Sequence, residues 1–159
     1  MKTVIPINNE NKDLCSPCGG HCCKWSPGDY SPTQLGLDTG NVKSKLSELI
    51  KQGKHIFVRH SDGNQTYWTM RPKTSLSKCR SGFELDGLGR CIHLTESGCE
   101  LAYDSRPLEC QNLIPSKEKC YYPEHWDYGV QIKQQWLRYK AVIVAIEDEF
   151  WETVPVLKI

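Results

Sequence analysis

Four of the nine cysteines in this 159-residue chain fall within nine positions, Cys15-Ser-Pro-Cys18-Gly-Gly-His-Cys22-Cys23. Thiols crowd in this way when a short loop wraps a soft cation. Each deprotonated sulfur neutralises charge, and glycine lets the backbone turn around the ion. Three more cysteines, Cys91, Cys99 and Cys110, follow before a helical C-terminal pattern. The stretch 73–115 is dense in glycine, cysteine and polar residues without sustained periodicity, so its order must come from elsewhere, and a bound metal can supply it.

Disulfides are the competing use of these thiols. Met1 to Lys12 contains an apolar stretch of only four residues, too short for the core of a signal peptide. No other segment approaches the roughly 20 apolar residues that cross a bilayer. The expectation is a cytoplasmic protein without a membrane partner, where the reducing poise disfavours crosslinks and an odd cysteine count leaves one unpaired. Nucleic acid is not an expected partner either: 20 Lys and Arg against 19 Asp and Glu give a net charge of +1, and no basic run stands out.

The regular elements predicted are few. Val42, Leu46, Leu49 and Ile50 recur at helical spacing between Asn41, a suitable N-cap, and Gly53, a suitable terminator, so Asn41 to Gln52 is read as a helix of about three turns. His55 to His60 and Thr66 to Met70 read as strands of a hairpin turning at Ser61-Asp-Gly-Asn64, with Pro72 ending the second. From Tyr128 to Trp151 the positions Val130, Ile132, Trp136, Leu137, Ile143, Val144, Ile146 and Phe150 fit one long helix with a wide buried face. Trp25 to Pro32 reads as an ordered, turn-rich loop packed on the cysteine segment. The tryptophans are expected to fill the core and shield the site, Trp25 nearest to it. The fold class expected is α+β: one small domain over residues 1–159, with a metal-organised cysteine-rich region, one β-hairpin and two main helices.

Within the first cluster, C-x2-C is followed after three residues by a Cys-Cys pair, unlike a zinc-ribbon half-site. Adjacent side chains diverge, so Cys22 and Cys23 can serve different roles. The second block runs Cys91-Ile-His-Leu-Thr-Glu-Ser-Gly-Cys99 and on through Arg106-Pro107-Leu-Glu-Cys110. With CSPCGGHCC, the Gly98-Cys99 step and Arg106-Pro107 before Cys110, the chain from Cys15 to Pro115 resembles the YkgJ-type cysteine-cluster family of zinc- or iron-chelating domains. It departs from that pattern in the three residues between Cys18 and Cys22 and in glutamine at Gln111. The resemblance implies a bound metal, zinc or an iron–sulfur cluster, held by Cys15, Cys18, Cys22, Cys23, Cys91, Cys99 and Cys110. Cys79 and Cys120 lie outside the motif and read as buried apolar residues.

Because cysteine outnumbers histidine in the motif, a 4Fe-4S cluster is favoured over zinc. Gly19, Gly20 and Gly98 would offer close N–H donors to such a cluster and Arg106 a cation. His21 serves as second-shell donor or ligand, and for zinc His21 or His93 would complete a set of four. Arg106 has a plainer reading as the partner of Asp104 or Glu109. His55, His60 and His125 read as ordinary strand or surface residues. Three functions fit: a structural, redox or sensing metal protein, which is preferred; a metalloenzyme with an open coordination position; or a zinc-stapled interaction module docking through the aromatic surface near Trp25 and Tyr30 or through the C-terminal helix.

Overall fold

The structure, a computed structural model, describes residues 21–77, 82–84, 87–117 and 120–153, with the backbone alone for residues 21, 22 and 151–153. Helix α1 (Val42–Lys51) begins where local chemistry says it should. The Asn41 side chain accepts from the Ser44 N–H at 3.0 Å, satisfying one of the donors that a helix start leaves open. At the other end Gly53, at φ +72°, donates to the Ile50 carbonyl.

Strands β1 (His55–Ser61) and β2 (Thr66–Pro72) form the predicted antiparallel hairpin, in register from His55 opposite Pro72 to Ser61 opposite Thr66. The turn is organised by Asp62, whose Oδ1 accepts from the N–H groups of Asn64 and Gln65 at 2.9 and 3.0 Å. A third strand was not expected. β3 (Phe83–Glu84) lies parallel to β1 on its free edge, completing the order β2-β1-β3, and the Phe57 N–H donates to the Gly82 carbonyl at 2.6 Å. Two residues are too few to carry a periodic signal, so this pairing is set by tertiary contact.

The 73–115 region also holds a second hairpin, β4 (Leu94–Thr95) with β5 (Gly98–Cys99), and a short helix α2 (Leu108–Gln111). The predicted long C-terminal helix is instead broken. Gly129–Lys133 forms a widened π-helical turn in which Gln134 donates to the Gly129 carbonyl. Helix α3 (Gln134–Leu137) follows, and Tyr139 then bonds back only three residues to Trp136 before α4 (Lys140–Thr153) begins. Widening followed by tightening keeps Ile132, Trp136, Ile143 and Ile146 on the buried side across both irregularities.

These four residues pack with Leu37, Leu46, Phe57, Trp68, Met70, Phe83 and Leu108 as one core. Phe57 and Trp136 are fully buried and meet edge to face, with ring centroids 6.2 Å apart. Each such side chain contributes about 2–3 kcal/mol on removal from water. Strand side chains alternate, so while Phe57, Trp68 and Met70 face the helices, Ile56, Val58, Thr69 and Arg71 lie on the opposite face. That second face is also buried. Asp29 of the loop 26–31 accepts from Arg71 on that face, while Tyr30 donates from its backbone to Met70 and its carbonyl accepts from Trp136 Nε1 at 2.7 Å.

The expected helix–hairpin–helix frame and the α+β class are therefore both present, in one small domain. Trp25 is a correction. It is 71% exposed rather than part of the core, while its carbonyl accepts from the Gly89 N–H. Trp68 and Trp136 do fill the interior.

Candidate metal centre

The sequence places thiols in two distant blocks, and the described backbone joins them. Residues His21–Lys24 form one 3-10 turn, and the Cys23 carbonyl accepts from the Cys91 N–H at 2.9 Å. On its other side Cys91 bridges antiparallel to Thr74, with Ser75 donating to Arg90 and Ile92 to Lys73. Cys91 is thus held between two neighbouring segments. Its thiol is buried, and the His93 backbone N–H points at it, an arrangement that favours thiolate over thiol. Burial outweighs that donor and pushes the Cys91 thiol up, with Cys99 and Glu100 adding to the rise.

Cys99 reaches the same region through the β4–β5 hairpin. Gly98 precedes it at φ +108°, a conformation that only glycine takes readily, and Thr95 Oγ1 donates to the Gly98 carbonyl at 2.7 Å to close the turn. Cys110 arrives on α2, whose first turn is fixed by Gln34: Oε1 accepts from the Leu108 N–H, and Nε2 donates to the Arg106 carbonyl. Gln111, placed where the resemblance has arginine, is buried and donates to the Tyr103 and Arg106 carbonyls, so its amide ties the turn without supplying charge.

Cys91, Cys99 and Cys110 all act electrostatically on Tyr30. Burial raises the Tyr30 hydroxyl well above the usual range, and the negative charge of Cys110, Cys91 and Cys99, in that order, raises it further. Three thiols spread over twenty positions of chain therefore act on one buried phenol. None of Cys23, Cys91, Cys99, Cys110 and Cys120 is joined to another of the five by a disulfide. Among the described residues no three His, Cys, Asp or Glu side chains gather closely enough to hold one ion. Cys15, Cys18 and Cys79 lie outside the described residues, as do the side chains of His21 and Cys22.

Arg106 lies directly ahead of α2, between the 3-10 turn Tyr103–Ser105 and Pro107. Its Nε donates to the Leu101 carbonyl at 3.0 Å and its guanidinium lies 6.0 Å from the Tyr103 ring centroid. Two histidines gain interest. His93 is buried, and its Nδ1 lies 2.6 Å from Glu100 Oε1, the contact by which a carboxylate orients an imidazole. His55 reads from sequence as an ordinary strand residue, yet its Nδ1 is buried without a hydrogen-bond partner among the described residues, and its ring lies 5.5 Å from that of Tyr30. Burial lowers the His55 pKa, with the Leu49 backbone opposing and His93 and Lys54 assisting.

A charged network behind the thiols was not foreseen. Asp29, fully buried, accepts at Oδ1 from Arg71 Nε (2.7 Å) and at Oδ2 from the Tyr128 hydroxyl. Arg71 also donates from Nη1 to Ser26 Oγ. Asp29 and Glu109 are bonded reciprocally, Asp29 N–H to Glu109 Oε2 at 2.6 Å and Glu109 N–H to the Asp29 carbonyl at 3.2 Å. Burial, then the Asp29 charge, push the Glu109 carboxyl up to about 7. Asp29 lies 42 positions from Arg71 and 80 from Glu109, so no local pattern announces the network; the one hint is an arginine inside an otherwise apolar strand.

Compared with known proteins, the chain matches no family model, no curated protein and no solved structure. No helix among the described residues is long and apolar enough to cross a membrane.

Proposed function

We propose that this is a metal-binding protein of the YkgJ type in which Cys15, Cys18, Cys22, Cys23, Cys91, Cys99 and Cys110 supply the thiolates of an iron–sulfur cluster with a structural, redox or sensing role. The observation that supports this reading is the backbone hydrogen bond from Cys91 to the Cys23 carbonyl at 2.9 Å, which lays the two cysteine segments side by side. The donor chemistry fits a soft metal. The Cys99 charge acts on the buried Cys91 thiol, and a cation relieves such repulsion while taking the protons' place. The N–H aimed at Cys91 suits a sulfur carrying cluster charge.

A zinc-stapled interaction module is the second reading, and two observations favour it. Glu100 holds His93 as it would hold a zinc-ligating imidazole, and Trp25 is exposed beside the cysteine segment, where a docking face was expected. Oxygen-free purification with metal and sulfide analysis tests both. A brown protein with iron and sulfide in proportion, lost in Cys91→Ser, Cys99→Ser and Cys110→Ser but kept in Cys120→Ser, supports the cluster. Colourless protein with stoichiometric zinc replaces it by the second reading, and metal-free protein removes both.

A further inference from the structure

We infer that Gly28 is a positioning residue for the Cys110 thiol: its missing side chain is the space in which that sulfur sits. A Cβ at residue 28 would lie 2.8 Å from Cys110 Sγ, 3.0 Å from Glu109 Cβ and 3.1 Å from Cys110 N. The first distance is closer than real Cβ atoms come, and the other two are backbone or near-backbone atoms that cannot swing aside. Gly28 is not among the glycines at positive φ, so its backbone conformation is open to alanine. Conformation therefore gives no reason for glycine here. The contact does.

Neither wall of this space can retreat. On one side Asp29 is fixed by Arg71 and Tyr128 in a fully buried position, and Tyr30 is bonded to Met70 and Trp136. On the other, Glu109 returns two hydrogen bonds to Asp29, and Leu108 is held by Gln34. An added methyl group must therefore displace the sulfur, the most mobile of the three atoms it meets. Among the three thiols, Cys110 has the largest electrostatic effect on Tyr30, so its displacement also changes the surroundings of that buried phenol. Ligand geometry in metal sites depends on such supporting contacts, and disturbing them typically costs roughly 10- to 100-fold in metal affinity.

The inference builds on the metal-binding reading, and its test separates the two. Gly28→Ala and Gly53→Ala are compared with wild type in the full chain. Gly53 has nothing within 4 Å of its would-be Cβ and a φ of +72°, so its substitution destabilises through the backbone alone, away from the thiols. Two readouts are taken: the thiolate-to-metal charge-transfer spectrum of Co2+ added to metal-stripped protein, with its rate of release to EDTA; and the iodoacetamide alkylation rate of Cys110 without metal, with Cys91 as internal reference. The expected result is a shifted spectrum and release roughly tenfold faster or more for Gly28→Ala alone, with Cys110 alkylation changed at least about threefold. Equal effects of the two variants, or none from Gly28→Ala, overturn the inference. If wild type binds no metal the functional reading falls, and the alkylation rate then decides alone: an unchanged Cys110 rate in Gly28→Ala overturns the positioning role, and a changed one sustains it.

Discussion

Replacing Arg71 by methionine isolates what the buried ion pair contributes. Asp29 has no exposure and Arg71 is 9% exposed, so neither charge is relieved by water. The contact is direct, Nε to Oδ1 at 2.7 Å. At an effective dielectric constant near 20, charges about 4 Å apart attract by about 4 kcal/mol. Methionine preserves much of the apolar stem but leaves the Asp29 carboxylate with the Tyr128 hydroxyl and no cation, and stranding one member of a buried pair costs about 3–5 kcal/mol. With a urea dependence of about 2 kcal/mol per molar, the unfolding midpoint falls by roughly 2 M. Asp29→Asn is milder, about 1–2 kcal/mol, because Arg71 keeps Glu109 in its field and an amide can still accept its hydrogen bond. The double variant buries no unpaired charge and is expected to lose less than the sum of the two singles. Strict additivity, or an Arg71→Met midpoint within about 0.3 M of wild type, would show that the pair behaves like an exposed one and refute the argument.

Glu109 makes stability depend on pH in a defined direction. Its folded carboxyl, pushed up to about 7, holds a proton that the unfolded chain has lost above about 4.3, so folding becomes less favourable as pH rises between those values and the penalty is complete above the higher one. Glu109→Gln, which can still accept from the Asp29 N–H, should match wild type in acid and exceed it by about 3 kcal/mol at pH 8; urea titrations showing a pH-independent difference would contradict this. Asn41→Ala removes the α1 cap and is expected to cost about 1 kcal/mol, seen as a melting temperature lower by about 2–4 °C, with Asn41→Gly milder. Equal melting of wild type and Asn41→Ala would deny the cap a role.

What could be read from sequence in the fold was written locally. Asn41, Gly53 and the Asp62-Gly63 turn each act on backbone groups within three or four residues, and all three form as their chemistry dictates. The C-terminal apolar pattern correctly marked Ile132, Trp136, Ile143 and Ile146 as buried, yet periodicity is tolerant of one widened turn and gave no sign of the π-helical stretch. β3 depends on a pairing some twenty-five residues away in sequence, from Phe57 to Phe83, and had no signature of its own. Trp25 shows the limit of composition: an aromatic residue states what burial would contribute, not whether the chain delivers it there.

The thiol region divides along the same line. Spacing singled out Cys91, Cys99 and Cys110 as candidates because their shared residue type carries the signal, but it pointed neither to Tyr30, on which their charges act, nor to Gly28, whose would-be Cβ lies against Cys110. Those partners lie in a loop whose sequence reports only turns. The electrostatics then ties the parts together. Ionised thiols raise Tyr30, and Cys99 and Glu100 raise Cys91. Each thiolate formed beside another therefore makes the next more costly. The charged network meets the same problem of buried charge with a partner of its own, Arg71 lying against Asp29 at 2.7 Å.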